Sequence, residues 1–350
     1  MYIHEDTNEI ISDTAIPWQE LRGATVLVTG ATGMIGSAIA RALAAANEQW
    51  ELGVRILALG RNEEKMRPLA DEYGALCIKH DIIKPFLPDT IKGPVDYIFH
   101  CAAMTSSSEM VMNPVGVLST SLTGTANILE LAWQKQTKSV VYLSSMEVYG
   151  ATDPTLPCVC ENNLGYIDIS KPRSVYPEGK RMCECMGSAW YAQYGVPVKT
   201  ARLAQTFGAG TAPEDTRVFA QFARSVVAGE DIVLHTMGKS RGNYCYISDA
   251  IRALFLLLFK GENGEAYNVA NPAASMCIGE MAQMVADRIA NGRISVVIDI
   301  PADSEARGYA PDTTMRLGIE KIKKLGWQPR YGLEDMYRRM IADWGATLHT

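Results

Sequence analysis

The chain has 350 residues, 47% hydrophobic and 21% charged, with a formal net charge of −6. Its length holds one large or two ordinary domains, and its composition is that of a soluble globular enzyme. The acidic balance without a basic run argues against nucleic acid or anionic membranes as partners. The longest candidate apolar stretch, Ala253 to Phe259, is far too short to span a bilayer.

The N-terminus, Met1-Tyr2-Ile3-His4-Glu5-Asp6, is acidic and polar, unlike a secretory signal. Residues 1–22 read as an extension that packs against the following domain through Trp18. Thr25-Val26-Leu27-Val28-Thr29 is a β-branched apolar run suited to a buried parallel strand. It runs into Gly30-Ala31-Thr32-Gly33-Met34-Ile35-Gly36, after which apolar residues recur at helical spacing to Ala46. Strand, glycine-rich turn and helix in this order predict a dinucleotide site. Gly30 permits the turn, Gly33 lets backbone approach a pyrophosphate, and Gly36 lets the helix pack on the strand. Thr32, Met34 and Ile35 lie in the same turn and join the expected cofactor-binding set. The spacing is G-x-x-G-x-x-G rather than G-x-G-x-x-G.

A second strand, Val54 to Leu59, ends at Gly60-Arg61, where NAD enzymes commonly place a carboxylate for the ribose hydroxyls. A guanidinium there suits a 2′-phosphate, which leans toward NADP, although Arg61 could equally stack on adenine or face solvent. Val95 to Phe99 reads as another strand, followed by His100, Cys101 and the small residues Ala102 and Ala103, which let backbone come close to a cofactor. His100 reads as structural. Asn113 to Gln134 has the pattern of a long helix, and Ser139 to Leu143 that of a strand delivering Ser144-Ser145-Met146-Glu147 to the sheet's carboxyl edge.

Eight cysteines include two Cys-x-Cys pairs, Cys158/Cys160 and Cys183/Cys185, in spacings that match no zinc site. They read as free thiols of a cytoplasmic protein, and no metal is expected. Tyr176 and Lys180, four residues apart at the mouth of a predicted helix, share one face. A nearby ammonium is expected to pull the phenol pKa below about 10 and make Tyr176 a general base.

The glycine triad, Ser145 at its strand end and the Tyr176/Lys180 pair together resemble the extended short-chain dehydrogenase/reductase family from about Gly23 onward. Asp81 after a strand, Gly124-Thr125, Tyr267-Asn268-Val269 and Leu325-Gly326-Trp327 are smaller echoes. Tyr176-Pro177-Glu178-Gly179-Lys180-Arg181, preceded by Pro172-Arg173, is similar to the version in UDP-glucuronate decarboxylases. Thr200 to Gly208 resembles the substrate-binding stretch of that branch.

This resemblance implies an NAD(P)-dependent enzyme that modifies a nucleotide-diphosphate sugar through a 4-keto intermediate. Tyr176 would be the base, Ser145 the hydrogen-bond partner that steadies the developing ketone, Lys180 the cation holding the ribose and tuning Tyr176, and Glu147 a further catalytic carboxylate. Asp81 joins the implied cofactor set, and Met146, Gln205 and Arg241 the implied substrate contacts. Met146 stands where dehydratases carry an acid, and a thioether donates no proton, so 4,6-dehydration is not expected. Gln205 replaces an Asn, Ser121 another Asn, and Ala209 a proline. Decarboxylases and epimerases carry an Arg seven residues before an Asp matching Asp249; this chain has Gly242 there, with Arg241 beside it.

The strand–helix units predict an α/β fold, a Rossmann-type doubly wound parallel sheet over residues 23–200. A smaller mixed lobe over residues 201–350 would close the substrate cleft. Its expected markers are Val218 to Val227 and Ile251 to Phe259 as helices, and Ile232 to Leu234 and Val296 to Ile298 as strands. The resemblance further implies a homodimer through the helices beginning at Asn113 and Tyr176. The alternatives are a 4-epimerase or 4-keto reductase, and a silent NAD(P)-sensing protein.

Overall fold

Strand β1 (Thr25–Thr29) is buried at all its positions, as a run apolar on both faces requires. In the computed structural model, which describes residues 2–300 and 313–348, it is an interior strand of a seven-stranded parallel sheet. The other members are β2 (Arg55–Gly60), β3 (Leu76–Lys79), β4 (Tyr97–His100), β5 (Ser139–Ser145), β6 (Val198–Leu203) and β10 (Ala266–Val269). The order is β10-β6-β5-β4-β1-β2-β3, every pairing parallel. Chain direction across the sheet reverses between β1 and β4, and ligands bind beyond the carboxyl ends at such a switch point.

The helices follow from amphipathic patterns and their ends. They are α1 (Tyr2–Ile11), α2 (Met34–Trp50), α3 (Glu63–Tyr73), α4 (Ser107–Met112), α5 (Pro114–Gln134), α6 (Val175–Tyr194), α7 (Val218–Ala228), α8 (Ile247–Lys260), α9 (Ile278–Met284), α10 (Glu320–Lys323) and α11 (Leu333–Leu348). The side chain of Asn113 caps α5, accepting from Gly116 N at 3.2 Å, and a left-handed Gly195 ends α6. Val26 and Val28 pack in one cluster with α2 and α8; Leu27, facing the other way, packs with Ile128, Leu129 and Cys183 from α5 and α6. The sheet is therefore covered on both faces.

The remaining strands β7 (Gln205–Phe207), β8 (Ile232–Leu234), β9 (Arg241–Tyr246), β11 (Asn271–Cys277) and β12 (Val296–Ile298) form two small sheets, β11-β9-β7 and β12-β8. The boundary expected at residue 200 falls inside β6, and β10, from the later part of the chain, pairs with β6 in the large sheet. The later part of the chain thus contributes a strand to the large sheet.

The N-terminal extension contains a helix, α1, that sequence reading did not find. It packs on α2, α8 and α11. Trp18 is buried 4.6 Å from the Phe255 ring. Arg339 of α11 meets Asp6 at 2.8 Å and Glu5 at 2.6 Å, while Asp13 pairs with Arg252 and Arg330. Among the described residues no helix is long and apolar enough to cross a membrane.

Candidate active site

The glycine turn closes as the spacing predicts. Gly30 has φ of +62°, and a Cβ there would stand 2.9 Å from the Ala102 backbone. At Gly36 a Cβ would lie 2.4 Å from the Gly30 carbonyl, so only glycine lets α2 start this close to β1. Gly33 and Thr32 are exposed, and Gly33 caps α2 without a side-chain acceptor, leaving first-turn amides for an anion. Met34 and Ile35 are half-buried in that turn. The Ala102 amide donates to Thr29 Oγ1 at 3.1 Å. This cradle of bare backbone fits a dinucleotide pyrophosphate. Ala103 continues the loop, and Arg61, at the end of β2, is exposed.

His100 is structural, as expected: its ring nitrogens lie 2.8 Å from Thr29 Oγ1 and 3.2 Å from Thr125 Oγ1, and burial holds its pKa down at about 3. Asp81 turns its carboxylate onto the Ile83 amide at 3.3 Å. Neighbouring Ile82 packs on α5 where a Cβ at Gly124 would meet its side chain at 2.5 Å.

Ser145 ends β5 and caps a short turn, Met146–Tyr149, by accepting from the Glu147 amide at 3.2 Å. Its hydroxyl also hydrogen-bonds the Tyr176 phenol. Tyr176 and Lys180, one turn apart on α6, are both almost fully buried. Lys180 Nζ donates to the Leu143 carbonyl at 2.6 Å and lies 5.8 Å from the Tyr176 ring centre.

The expectation that Lys180 draws the phenol pKa downward is corrected. Burial, then the Glu147 charge, push Tyr176 up to about 12, against the Ser145 hydrogen bond and the charges of Arg173 and Arg217. Helical spacing aligned the two side chains, but the buried ammonium is turned onto a backbone carbonyl, and its own pKa falls to about 8 through burial.

Glu147 is paired rather than merely solvated. Arg173, just ahead of α6, grips it in a bidentate pair at 2.9 and 3.2 Å, both groups partly exposed. Arg173 was legible in sequence only as part of a motif. Its partner depends on the turn after β5 meeting the start of α6. Arg217, at the start of α7, pairs with Asp215 at 2.5 Å and lies over the Phe219 ring; no sequence signal marked it. Met146 is half-buried against the core.

Gln205 begins β7, two residues beyond the end of β6, and its Oε1 is buried without a partner among the described residues, an acceptor free for a ligand. Arg241 is engaged elsewhere: it donates to the Ser275 carbonyl at 3.0 Å and faces Glu280 at 3.6 Å. A small shift does not replace an arginine at position 242, because neighbours on a strand point to opposite faces. The space beside Gly242 is filled by Tyr244, whose hydroxyl would stand 2.3 Å from a Cβ there.

Ser145, Tyr176, Glu147 and Arg173 thus meet where the end of β5 faces the start of α6, and the phenol there can exchange a proton with a bound hydroxyl or carbonyl. Among the described residues no group of three His, Cys, Asp or Glu side chains could hold a metal ion.

Residues 26–270 match the model of the NAD dependent epimerase/dehydratase family. The chain is 30% identical over 312 residues to UDP-glucuronic acid decarboxylase 6 of Arabidopsis thaliana, covering 89% of this chain and 85% of that one. It is also 30% identical to UDP-glucuronic acid decarboxylase 1 of Danio rerio, covering 90% and 71%. Among solved structures, UDP-glucose 4-epimerase of Thermotoga maritima with UDP-glucose superposes with a TM-score of 0.77 at 22% identity, over 93% of this chain and 99% of that one. A dTDP-glucose 4,6-dehydratase of Bacillus anthracis with NAD gives 0.74 at 20%, over 93% and 98%. These two show the fold.

Proposed function

We propose that this chain, a member of the NAD dependent epimerase/dehydratase family, uses NAD to modify a nucleotide-diphosphate sugar through a 4-keto intermediate, with UDP-glucuronate as substrate and carbon dioxide as a product. The observation that carries this reading is the Arg173-held Glu147 carboxylate beside the Ser145–Tyr176 pair. The UDP-glucuronic acid decarboxylases at about 30% identity supply the substrate class.

NAD, when bound, would supply the hydride-transfer chemistry. The Gly30–Gly36 turn and α2 amides would receive its pyrophosphate, Ala102 and Ala103 would let it approach the sheet, and Asp81 and Arg61 would hold its adenosine part. Arg61 is the group that would admit a 2′-phosphate, and NADP in place of NAD is proposed on that residue alone. Tyr176 takes the proton of the sugar's 4-hydroxyl, and Ser145 holds the resulting carbonyl oxygen. Lys180 steadies the ribose, and Arg173 and Arg217 offset the phenolate charge. A 4-keto group makes the C6 carboxylate a β-keto acid, so the C5–C6 bond breaks with its electrons passing to the carbonyl, and a proton returns to C5. Glu147 lies toward that end of the sugar, with Met146 beside it and the Gln205 acceptor on a substrate hydroxyl.

The second reading is 4-epimerisation or 4-keto reduction; of the two, reduction is favoured by position 242, which lacks the cation expected of decarboxylases and epimerases alike, and by the commitment of Arg241 to Ser275 and Glu280. The substrate cleft is proposed between the two lobes. A homodimer is proposed through α5 and α6, which expose Trp133, Met182 and Tyr194, with the cytoplasm as compartment.

The test incubates the purified chain with UDP-, dTDP-, GDP- and CDP-sugars, with added NAD or NADP, and reads products by mass. Loss of carbon dioxide from UDP-glucuronate is the expected result, abolished in Tyr176→Phe by at least about 100-fold. Unchanged mass with altered chromatography would move the assignment to the epimerase. Binding of NAD without turnover of any sugar would replace both with a sensor.

A further inference from the structure

The chain carries two Cys-x-Cys pairs, and the fold treats them oppositely. Cys183 and Cys185 lie on α6, where residues two apart point about 200° from one another. Cys183 is buried and donates to the Ser121 carbonyl, whereas Cys185 is exposed. Cys158 and Cys160 flank Val159, which pairs with Leu317 in an isolated β-bridge. Their sulfurs face each other at 3.9 Å.

Three features make this second pair more than a coincidence of spacing. The first is room to move. Both sulfurs lie over Gly318, where a Cβ would stand 3.1 Å from one and 3.3 Å from the other, so position 318 puts no side chain against them. The second is the fixed backbone. Val159 N donates to the Arg316 carbonyl at 2.6 Å, and Val159 O accepts from Gly318 N and from Asn268 Nδ2, both at 3.0 Å, so the thiols are presented on a pinned segment. The third is access. Cys160 opens onto a cavity of about 410 Å³ lined also by Glu161, Glu184, Arg202 and Lys321, polar and of both signs. Forming a bond requires the sulfurs to close from 3.9 Å to about 2 Å, a side-chain rotation.

We propose that Cys158 and Cys160 are a reversible thiol–disulfide site, oxidised by a small charged disulfide that enters through this cavity. The Cys160 thiolate attacks one sulfur of the reagent, forming a mixed disulfide and releasing one thiolate. The Cys158 thiolate then attacks Cys160 Sγ and releases the second. Two protein thiols and one reagent disulfide become one protein disulfide and two reagent thiols, the reagent taking both electrons. Burial, the Cys158 contact and the Glu161 charge hold the Cys160 thiol above its ordinary pKa, so exchange quickens as pH rises.

The test treats the folded full-length chain with oxidised glutathione, blocks remaining thiols with N-ethylmaleimide in denaturant, and maps the tryptic peptide 139–173, which contains Cys158 and Cys160 and no other cysteine. The expected result is loss of both alkylations and of two hydrogens from that peptide, reversed by dithiothreitol. The peptide with Cys183 and Cys185 should gain no internal bridge. Cys158→Ser should trap glutathione on Cys160. Full alkylation of 139–173 after treatment, or stable glutathione adducts in the unsubstituted chain, would overturn the proposal.

Discussion

Tyr176 sits in a field set by three charges, and their signs decide how readily its proton leaves. Glu147 favours the neutral phenol, while Arg173 and Arg217 favour the phenolate. Replacing Glu147 with Gln removes the opposing charge, so the ascending limb of kcat/KM against pH should move to lower pH. Arg173→Gln leaves Glu147 uncompensated, and that limb should move to higher pH, by up to about one unit each. Identical profiles in the three proteins would mean that the phenol proton does not limit the rate. Arg173→Lys should restore charge but not the two-pronged grip, giving only partial rescue. The Tyr176/Lys180 spacing was legible in the sequence. The orientation of Lys180 onto the Leu143 carbonyl was not, because it depends on where β5 ends relative to α6.

At the scale of elements, close approach is the recurring constraint. The strand–turn–helix around Gly30, Gly33 and Gly36 was readable because glycine spacing reports backbone geometry directly, and the contact of Gly36 with the Gly30 carbonyl shows why. Gly36→Val would drive two methyl groups into that backbone. It should cost about 2–3 kcal/mol or more in denaturant unfolding and weaken NAD binding in the same protein. Unchanged stability would mean that α2 can retreat from β1 without loss. Strand β9 teaches the opposite lesson. From sequence, Arg241 beside Gly242 looked like a displaced ligand. Pairing of Arg241 with Cys277 and of Gly242 with Met276 fixes the register, so the two residues face opposite ways.

Across the whole molecule, α1 is held by charge as much as by apolar packing. Arg339 joins α11 to Asp6, Glu5 and Glu9 of α1, and its guanidinium lies 4.2 Å from the Tyr331 ring centre. Arg339→Ala would leave Asp6 buried without this partner, costing about 3 kcal/mol and exposing residues 2–11 to limited proteolysis while β1 to β6 stay protected. Equal resistance of both proteins would show that Ile10 and Ile11 suffice to hold the helix. The sequence by itself determined the parallel sheet and the glycine cradle, since period and strand ends are local properties, while Ser145 and Tyr176 were joined to the cradle through the family resemblance. Only the tertiary structure decided that α1 is a helix clamped to the other end of the chain. It alone paired Glu147 with Arg173, tied Arg241 to β11, raised the phenol pKa, and set Cys158 against Cys160. Each depends on segments far apart in sequence meeting, or on how fully a site is buried, and no local pattern encodes either.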